Sequence, residues 1–285
     1  MKLETDNRRL VPSSLYPLTI VLTELVLVFH NFSLAYNIGL NSPHRPHRQL
    51  KMSTAYAVKR AVGKLVPSQT AFLLCDVQER FVPLIHKSST VVHTTRLLTS
   101  VSKELSIPLV VTEQYKKVFG PTHGQCFNEP LTEESNIPIF EKKLFSMITP
   151  EVRLHLQKVG KQYDPSAKNF GHITSMVLFG IEAHVCVLQT CLDLLEMNID
   201  VHVVVDACSS MKLHDREIAL ERMRQAGAYL TTAQSLTFQL LQTADHPKFK
   251  AISQLIKHHA QLENEFNVAL MQQYGIKQPA EDIKT

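Results

Sequence analysis

From Thr70 onward the chain alternates short apolar runs with stretches of helical period. TAFLLCDV (70–77) reads as a buried strand, and IPLVVTEQ (107–114), IPIFEK (137–142), HITSMVLFGI (172–181), DVHVVVDAC (200–208) and AYLTTAQ (228–234) each read as a further strand, rich in β-branched or apolar residues. Between them, Leu97, Leu98, Val101 and Leu105 recur at helical spacing within 90–105. Thr149-Pro150 opens a second helix, with a hydroxyl cap and proline at the first helical position. HVCVLQTCLDLLEM (184–197) predicts a helix directly after the fourth strand, and DREIALERMRQAG (215–227) one that ends at Gly227. A last helical pattern, FKAISQLIKHHAQL, lies in the tail from His246. Strands alternating with helices predict a three-layer α/β/α domain with a six-stranded parallel sheet, Rossmann-like, joined by right-handed crossovers. Such sheets bind ligands outside the carboxyl ends of their strands.

Residues 1–51 follow a different pattern and divide from the rest as an N-terminal extension. Leu15 to Phe29 is apolar except for Thr19, Thr23 and Glu24, and a Pro- and base-rich connector, NSPHRPHRQLK, follows. A membrane span needs about 20 apolar residues, and this run is shorter and holds an acid. A secretory signal needs a basic start and a small-residue cleavage site, whereas the start here mixes Lys2, Arg8 and Arg9 with Glu4 and Asp6. The favoured reading is a poorly ordered extension, with membrane contact through 15–40 and organelle targeting as alternatives. Residues 52–68 form a basic lead-in, 69–245 the folded domain and 246–285 a helical tail.

Composition narrows the class. The chain has 285 residues, 44% hydrophobic and 20% charged, with 9 Gly and 14 Pro, which excludes collagen-like and wholly disordered chains. A net charge of +4 without a concentrated basic face argues against a nucleic-acid partner. Five cysteines without a C-x-x-C pair argue against a disulfide framework or a zinc ribbon and fit a reducing compartment. The expectation is a cytoplasmic protein. A mitochondrial one is the alternative, because 53–69 carries Lys59, Arg60 and Lys64 and no acid.

The predicted strand ends gather chemistry on one rim: Asp76 at the end of strand one, Glu113 and Gln114 on strand two, Lys142 on strand three, the turn 180–186 after strand four, and Asp206 and Cys208 on strand five. Cys186 falls at a helix start, where the macrodipole and unpaired N–H groups favour a thiolate and could steady an oxyanion. It reads either as a nucleophile or as a small buried hydrophobe. Cys191 lies in the Leu188, Leu192, Leu195 stripe and reads as core. Cys75 alternates away from Asp76 and also reads as core. Asp76 is a strand-end cap or a functional acid, and Lys142 a surface or a rim lysine.

Taken in order, CDVQ, TEQY…GPT, EKKLFSM, GIEAHVCVLQT and VVVDACSS resemble the isochorismatase-like cysteine hydrolase superfamily, and within it the eukaryotic isochorismatase domain-containing proteins of type 2. The likeness runs from roughly residue 65 to 255. It implies an isochorismatase-like hydrolase fold and an Asp-Lys-Cys triad: Asp76 from D-x-Q, Lys142 from K-x-x-[FY]-S, and Cys186 as nucleophile. It also implies a cis peptide at Ile181–Glu182, and a pocket to which Gln78, Phe81, Tyr115, Phe119 and Phe145 contribute by lining or packing. The zinc-binding D-x-H pattern of nicotinamidases is missing from Thr112 to Lys116, so no metal and no cofactor are expected, with loop roles for His86 and His123. The implied partners are a small-molecule substrate, an amide, imide or other carbonyl compound, and further copies of the chain. The alternatives are non-covalent hydrolysis of an isochorismate-like ether, and a non-catalytic module that binds a metabolite or protein at the same rim.

Overall fold

The structure is a computed structural model that describes residues 62–132, 135–262 and 265–266. The N-terminal extension and all but the last residues of the basic lead-in lie outside the described residues. Among the described residues, no helix is long and apolar enough to cross a membrane.

Six strands form one all-parallel sheet: β1 (Thr70–Cys75), β2 (Leu109–Gln114), β3 (Ile139–Lys142), β4 (Ser175–Ile181), β5 (Asp200–Ser209) and β6 (Tyr229–Thr231). Every residue of β1, β2 and β4 is buried. That is why these strands read as unbroken apolar runs instead of alternating ones: helices cover the sheet, and neither side chain parity meets water. The helices are α1 (Ser88–Leu105), the short α2 (Lys116–Phe119), α3 (Pro150–Val159), α4 (Leu188–Glu196), α5 (Leu213–Ala226), α6 (Ala233–Leu241) and α7 (Phe249–Ala260). Helix α1 packs on β5, α6 and α7, while α4 and α5 pack on each other and on β5.

Sheet order is β3-β2-β1-β4-β5-β6. The chain therefore leaves β1 in one direction to build β2 and β3, then returns to place β4 on the other side of β1. Adjacent crossovers diverge at that switch point above the carboxyl ends of β1 and β4, the position where such sheets bind ligands. Gly180 makes the close pairing possible. Its φ is +136°, and a Cβ there would lie 2.1 Å from the Cys75 carbonyl oxygen.

Helix ends follow local chemistry. Thr149 accepts from the Val152 N–H and caps α3, with Pro150 in the first turn, as its sequence predicts. Gly227, in left-handed conformation, closes α5 through its N–H to Met223 and Arg224 carbonyls. Two strands fall furthest short of their patterns. Within 228–234 only Tyr229–Thr231 pairs, because Thr232 accepts from the Ser235 N–H and starts α6. Strand four begins at Ser175 rather than His172, because Gly171 turns the chain at φ +63°.

Candidate active site

Strand β1 delivers Asp76 to this switch point with a backbone reversal: its φ is 51°, the left-handed region that Asp tolerates better than most side chains. The carboxylate is fixed at both oxygens. Thr112 Oγ1 donates to Oδ1 at 2.8 Å, and Lys142 Nζ donates to Oδ2 at 2.7 Å. Thr112 and Gln114 share one face of β2 by strand parity, and Gln114 Oε1 also accepts from Lys142 Nζ, at 2.7 Å. The chain after β3 bends around the ammonium, so that the carbonyls of Phe145 and Leu144 accept from it at 2.9 and 3.2 Å. The ion pair is closed to water, with side-chain exposures of 0% for Lys142 and 1% for Asp76. Burial alone lowers the Lys142 pKa. The Asp76 carboxylate, then the Cys75 and Cys186 thiols, more than offset this and hold it above its ordinary value.

Cys186 arrives from β4 through Gly180 and a single π-helical turn, Ala183–Val187, that runs into α4. Such turns interrupt the regular ladder and recur at functional sites. Thr190 Oγ1 donates to the Cys186 carbonyl at 2.7 Å and accepts from the Met147 N–H at 2.8 Å, tying the turn to the segment that carries Lys142. At 6% exposure, Cys186 is the most open of the three predicted catalytic residues.

Around this centre, Glu182 accepts from the Met211 N–H at 3.2 Å, and His184 Nδ1 lies 3.3 Å from its carboxylate and 3.0 Å from Ser210 Oγ. Tyr115 is 41% exposed, with Lys143 Nζ 5.5 Å from its ring centre. Phe145 is half-buried beside the ion pair it helps to hold. Phe81 and Phe119 stack on each other, centroids 3.9 Å apart, and both are buried. The Gln78 amide is fully engaged: Oε1 accepts from the Gln114 N–H at 2.7 Å, and Nε2 donates to the Gln114 and Gly120 carbonyls. It staples β2 to the following loop instead of presenting a free amide. His86 and His123 sit in loops, and among the described residues no group of three or more His, Cys, Asp or Glu stands where it could hold a metal ion.

Two expectations need correction. The Ile181–Glu182 peptide is trans: the structure contains no cis bond among the described residues. The trans amide is the lower-energy form by about 3 kcal/mol, and here Gly180 and the π turn redirect the chain. The second concerns Cys75. Its side chain does not turn away from Asp76 but donates to Oδ2 at 3.5 Å, because the left-handed residue cancels strand alternation. Gln114, placed on the rim by its strand-end position, holds the site, as do Thr112 and Thr190, whose part the sequence reading did not foresee. The parity of β2 beside β1 is the signal that could have found Thr112.

Asp206 and Cys208, also predicted at the rim, act on the fold. Asp206 Oδ1 accepts from the Ala233 N–H at the start of α6. Buried Arg216 donates to the Cys208 and Val205 carbonyls and secures the end of β5.

Residues 70–235 match the family model of the isochorismatase domain. Among curated proteins, the chain is 42% identical over 216 residues to the secreted isochorismatase effector Isc1 of Phytophthora sojae, covering 76% of this chain and 98% of that one. It is 39% identical over 201 residues to isochorismatase domain-containing protein 2 of Xenopus laevis, covering 70% and 90%. Among solved structures, one described as the MAR1 ribonuclease from Caenorhabditis elegans superposes with a TM-score of 0.60 at 42% identity, covering 68% of this chain and 92% of that one.

Proposed function

Because the chain belongs to the isochorismatase family, whose members are generally hydrolases, we propose that it is a cysteine hydrolase of small amides, imides or related carbonyl compounds. The observation that carries this reading is the buried Lys142–Asp76 pair, held in one network, with the Cys186 turn tied through Thr190 to the segment that follows Lys142. An ion pair sealed from water gains little for stability over an apolar pair; next to a thiol it supplies a base and a fixed positive charge.

The steps follow from these groups. Asp76 takes the Cys186 proton as sulfur attacks the substrate carbonyl, and Lys142 favours the thiolate. The oxyanion is steadied by N–H groups of the turn around Cys186. Collapse breaks the bond to the leaving group, which receives the proton from Asp76. Water then attacks the thioester and gives a proton back through Asp76, and the carboxylic acid leaves as the Cys186 thiol re-forms. Substrate size is set by the rim around Tyr115, Phe145 and Met211. The protein acts as a homo-oligomer in the cytoplasm; sedimentation velocity and imaging of a full-length fluorescent fusion test those two points.

The experiment is turnover of an amide and ureide panel by wild type and Cys186→Ala. Loss of all turnover with retained fold supports the reading, and full turnover by the variant refutes it. The description of the nematode relative as a ribonuclease supplies a second reading, an RNA substrate. Cleavage of labelled RNA by wild type, in the absence of turnover of any small carbonyl compound, would favour it.

A further inference from the structure

The chemistry above uses three side chains at the switch point and leaves Cys75 without a part. This residue is fully buried and ends β1. A Val or Leu would suit a strand end buried on every side, yet the side chain here is a weak hydrogen-bond donor, and its thiol is spent on the carboxylate that the ion pair uses. Cys75 Sγ donates to Asp76 Oδ2, the same oxygen that accepts from Lys142 Nζ. Across the sheet Cys75 pairs with Gly180, from which β4 runs on into the turn that carries Cys186, and the Cys186 thiol helps to raise the Cys75 pKa. The remaining cysteines behave otherwise: burial pushes Cys126, Cys191 and Cys208 up to about 12, and they stand away from the ion pair as core thiols.

The geometry needed for this contact is specific. Strand alternation would send Cys75 and Asp76 to opposite faces. The left-handed Asp76 brings both side chains to one place. A non-glycine residue in that conformation costs on the order of 1 kcal/mol and persists where its surroundings hold it. Here Thr112, Lys142 and Cys75 all hold it.

Resting on the hydrolase reading, we infer that Cys75 is a positioning residue whose thiol bridges Asp76 and Cys186, orients the carboxylate, and donates its S–H to the Cys186 thiolate once that forms. The proton count closes: the Cys186 S–H bond breaks, an Asp76 O–H bond forms, and Cys75 keeps its own proton throughout. As Asp76 becomes protonated it is a poorer acceptor, and the Cys75 S–H moves from carboxylate to thiolate. Burial first, then the Cys186 thiol and the Asp76 carboxylate, hold the Cys75 pKa well above the ordinary thiol range, so it does not compete as a nucleophile. The ionisable groups facing it are Asp76 next to it, Lys142 from β3 and Cys186 from the π turn.

The test is the pH dependence of iodoacetamide alkylation, mapped by peptide mass spectrometry on the full chain. In wild type, alkylation falls on Cys186 and spares Cys75. Cys75→Ala removes the donor and moves the half-maximal pH upward by about one unit, the scale of one hydrogen bond to a charged group. Cys75→Ser restores a donor and returns the midpoint to wild type or below. Cys75→Val, which fills the volume without donating, repeats the alanine shift and serves if the smaller side chain fails to fold. An unchanged midpoint in the alanine or valine variant overturns the inference while leaving the hydrolase intact. A wild-type Cys186 that reacts only with the profile of a free thiol, half-maximal near about 8.5, overturns the hydrolase reading itself.

Discussion

Replacing Lys142 with Met removes one ammonium and keeps most of the length of its stem. In the structure that ammonium has four acceptors: Asp76 Oδ2, Gln114 Oε1 and the carbonyls of Phe145 and Leu144, at 2.7 to 3.2 Å. Both charged side chains are sealed from solvent. Lys142→Met therefore strands a carboxylate in the interior, a defect that costs about 3–5 kcal/mol, or a fall in Tm of roughly 10 °C for a domain of this size. Asp76→Asn costs less, about 1–3 kcal/mol, because the ammonium keeps three neutral acceptors. The double variant is less damaging than the sum of the two by about 1–3 kcal/mol, since the partners share one network. Urea unfolding at pH 7, followed by circular dichroism, measures all three. The pH dependence has a definite sign. The Lys142 pKa is raised by folding, so its contribution is complete below its ordinary value of 10.5 and fades as pH rises beyond it. The Lys142 contribution to the gap between wild type and Lys142→Met is accordingly constant up to about pH 9 and narrows in stronger alkali. Strict additivity of the two single variants, or a Lys142→Met protein within about 1 kcal/mol of wild type, would refute the claim that the pair is buried and mutually dependent.

Two more perturbations probe the frame around the site. Burial lowers the His202 pKa to about 4, and its Nε2 has no hydrogen-bond partner among the described residues, so acid must force a proton into the sheet. Its neutral form favours folding above about 6.5, and stability drains as pH falls toward 4; from pH 7 to 5 this group removes about 2 kcal/mol. His202→Phe retains the stack on Tyr229, whose ring centroid lies 5.0 Å away. Paired denaturant curves at pH 7 and pH 5 should show a smaller acid loss in the variant, and equal losses would contradict the assignment. Gly180→Ala drives a methyl group to 2.1 Å from the Cys75 carbonyl at φ +136°, so β1 and β4 must part. Its expected loss is at least about 3 kcal/mol, with the Cys186 turn displaced; near-native thermal stability in calorimetry would count against this packing.

Strands β1, β2 and β4 were legible because burial on both sides writes them as unbroken apolar runs, and the meeting of Asp76 with Lys142 because strand ends in such a sheet share one rim. Backbone irregularity was not legible. Nothing in CDVQ announces that Asp76 turns left-handed, so alternation misassigned Cys75 to the far face. The π turn holding Cys186 looks like ordinary helix in GIEAHVCV, since one extra residue per turn leaves no mark on the apolar pattern. The hydroxyl of Thr232 was a local cap hidden inside a β-branched stretch, which is why β6 stops early and α6 begins. Phe81 and Phe119, read from the family likeness as packing or pocket residues, stack on each other, a long-range contact that no single-chain periodicity encodes.

The central claim is that the sulfur of Cys186 becomes covalently bonded to substrate. Rapid acid quench of the full chain during turnover of a small amide or ureide, followed by peptide mass spectrometry, addresses it directly. The account predicts an acyl group on the Cys186 peptide that hydroxylamine removes, with no modification at Cys75 and none anywhere in Cys186→Ala. Sustained turnover with an unmodified Cys186, or undiminished turnover by Cys186→Ala, would contradict it.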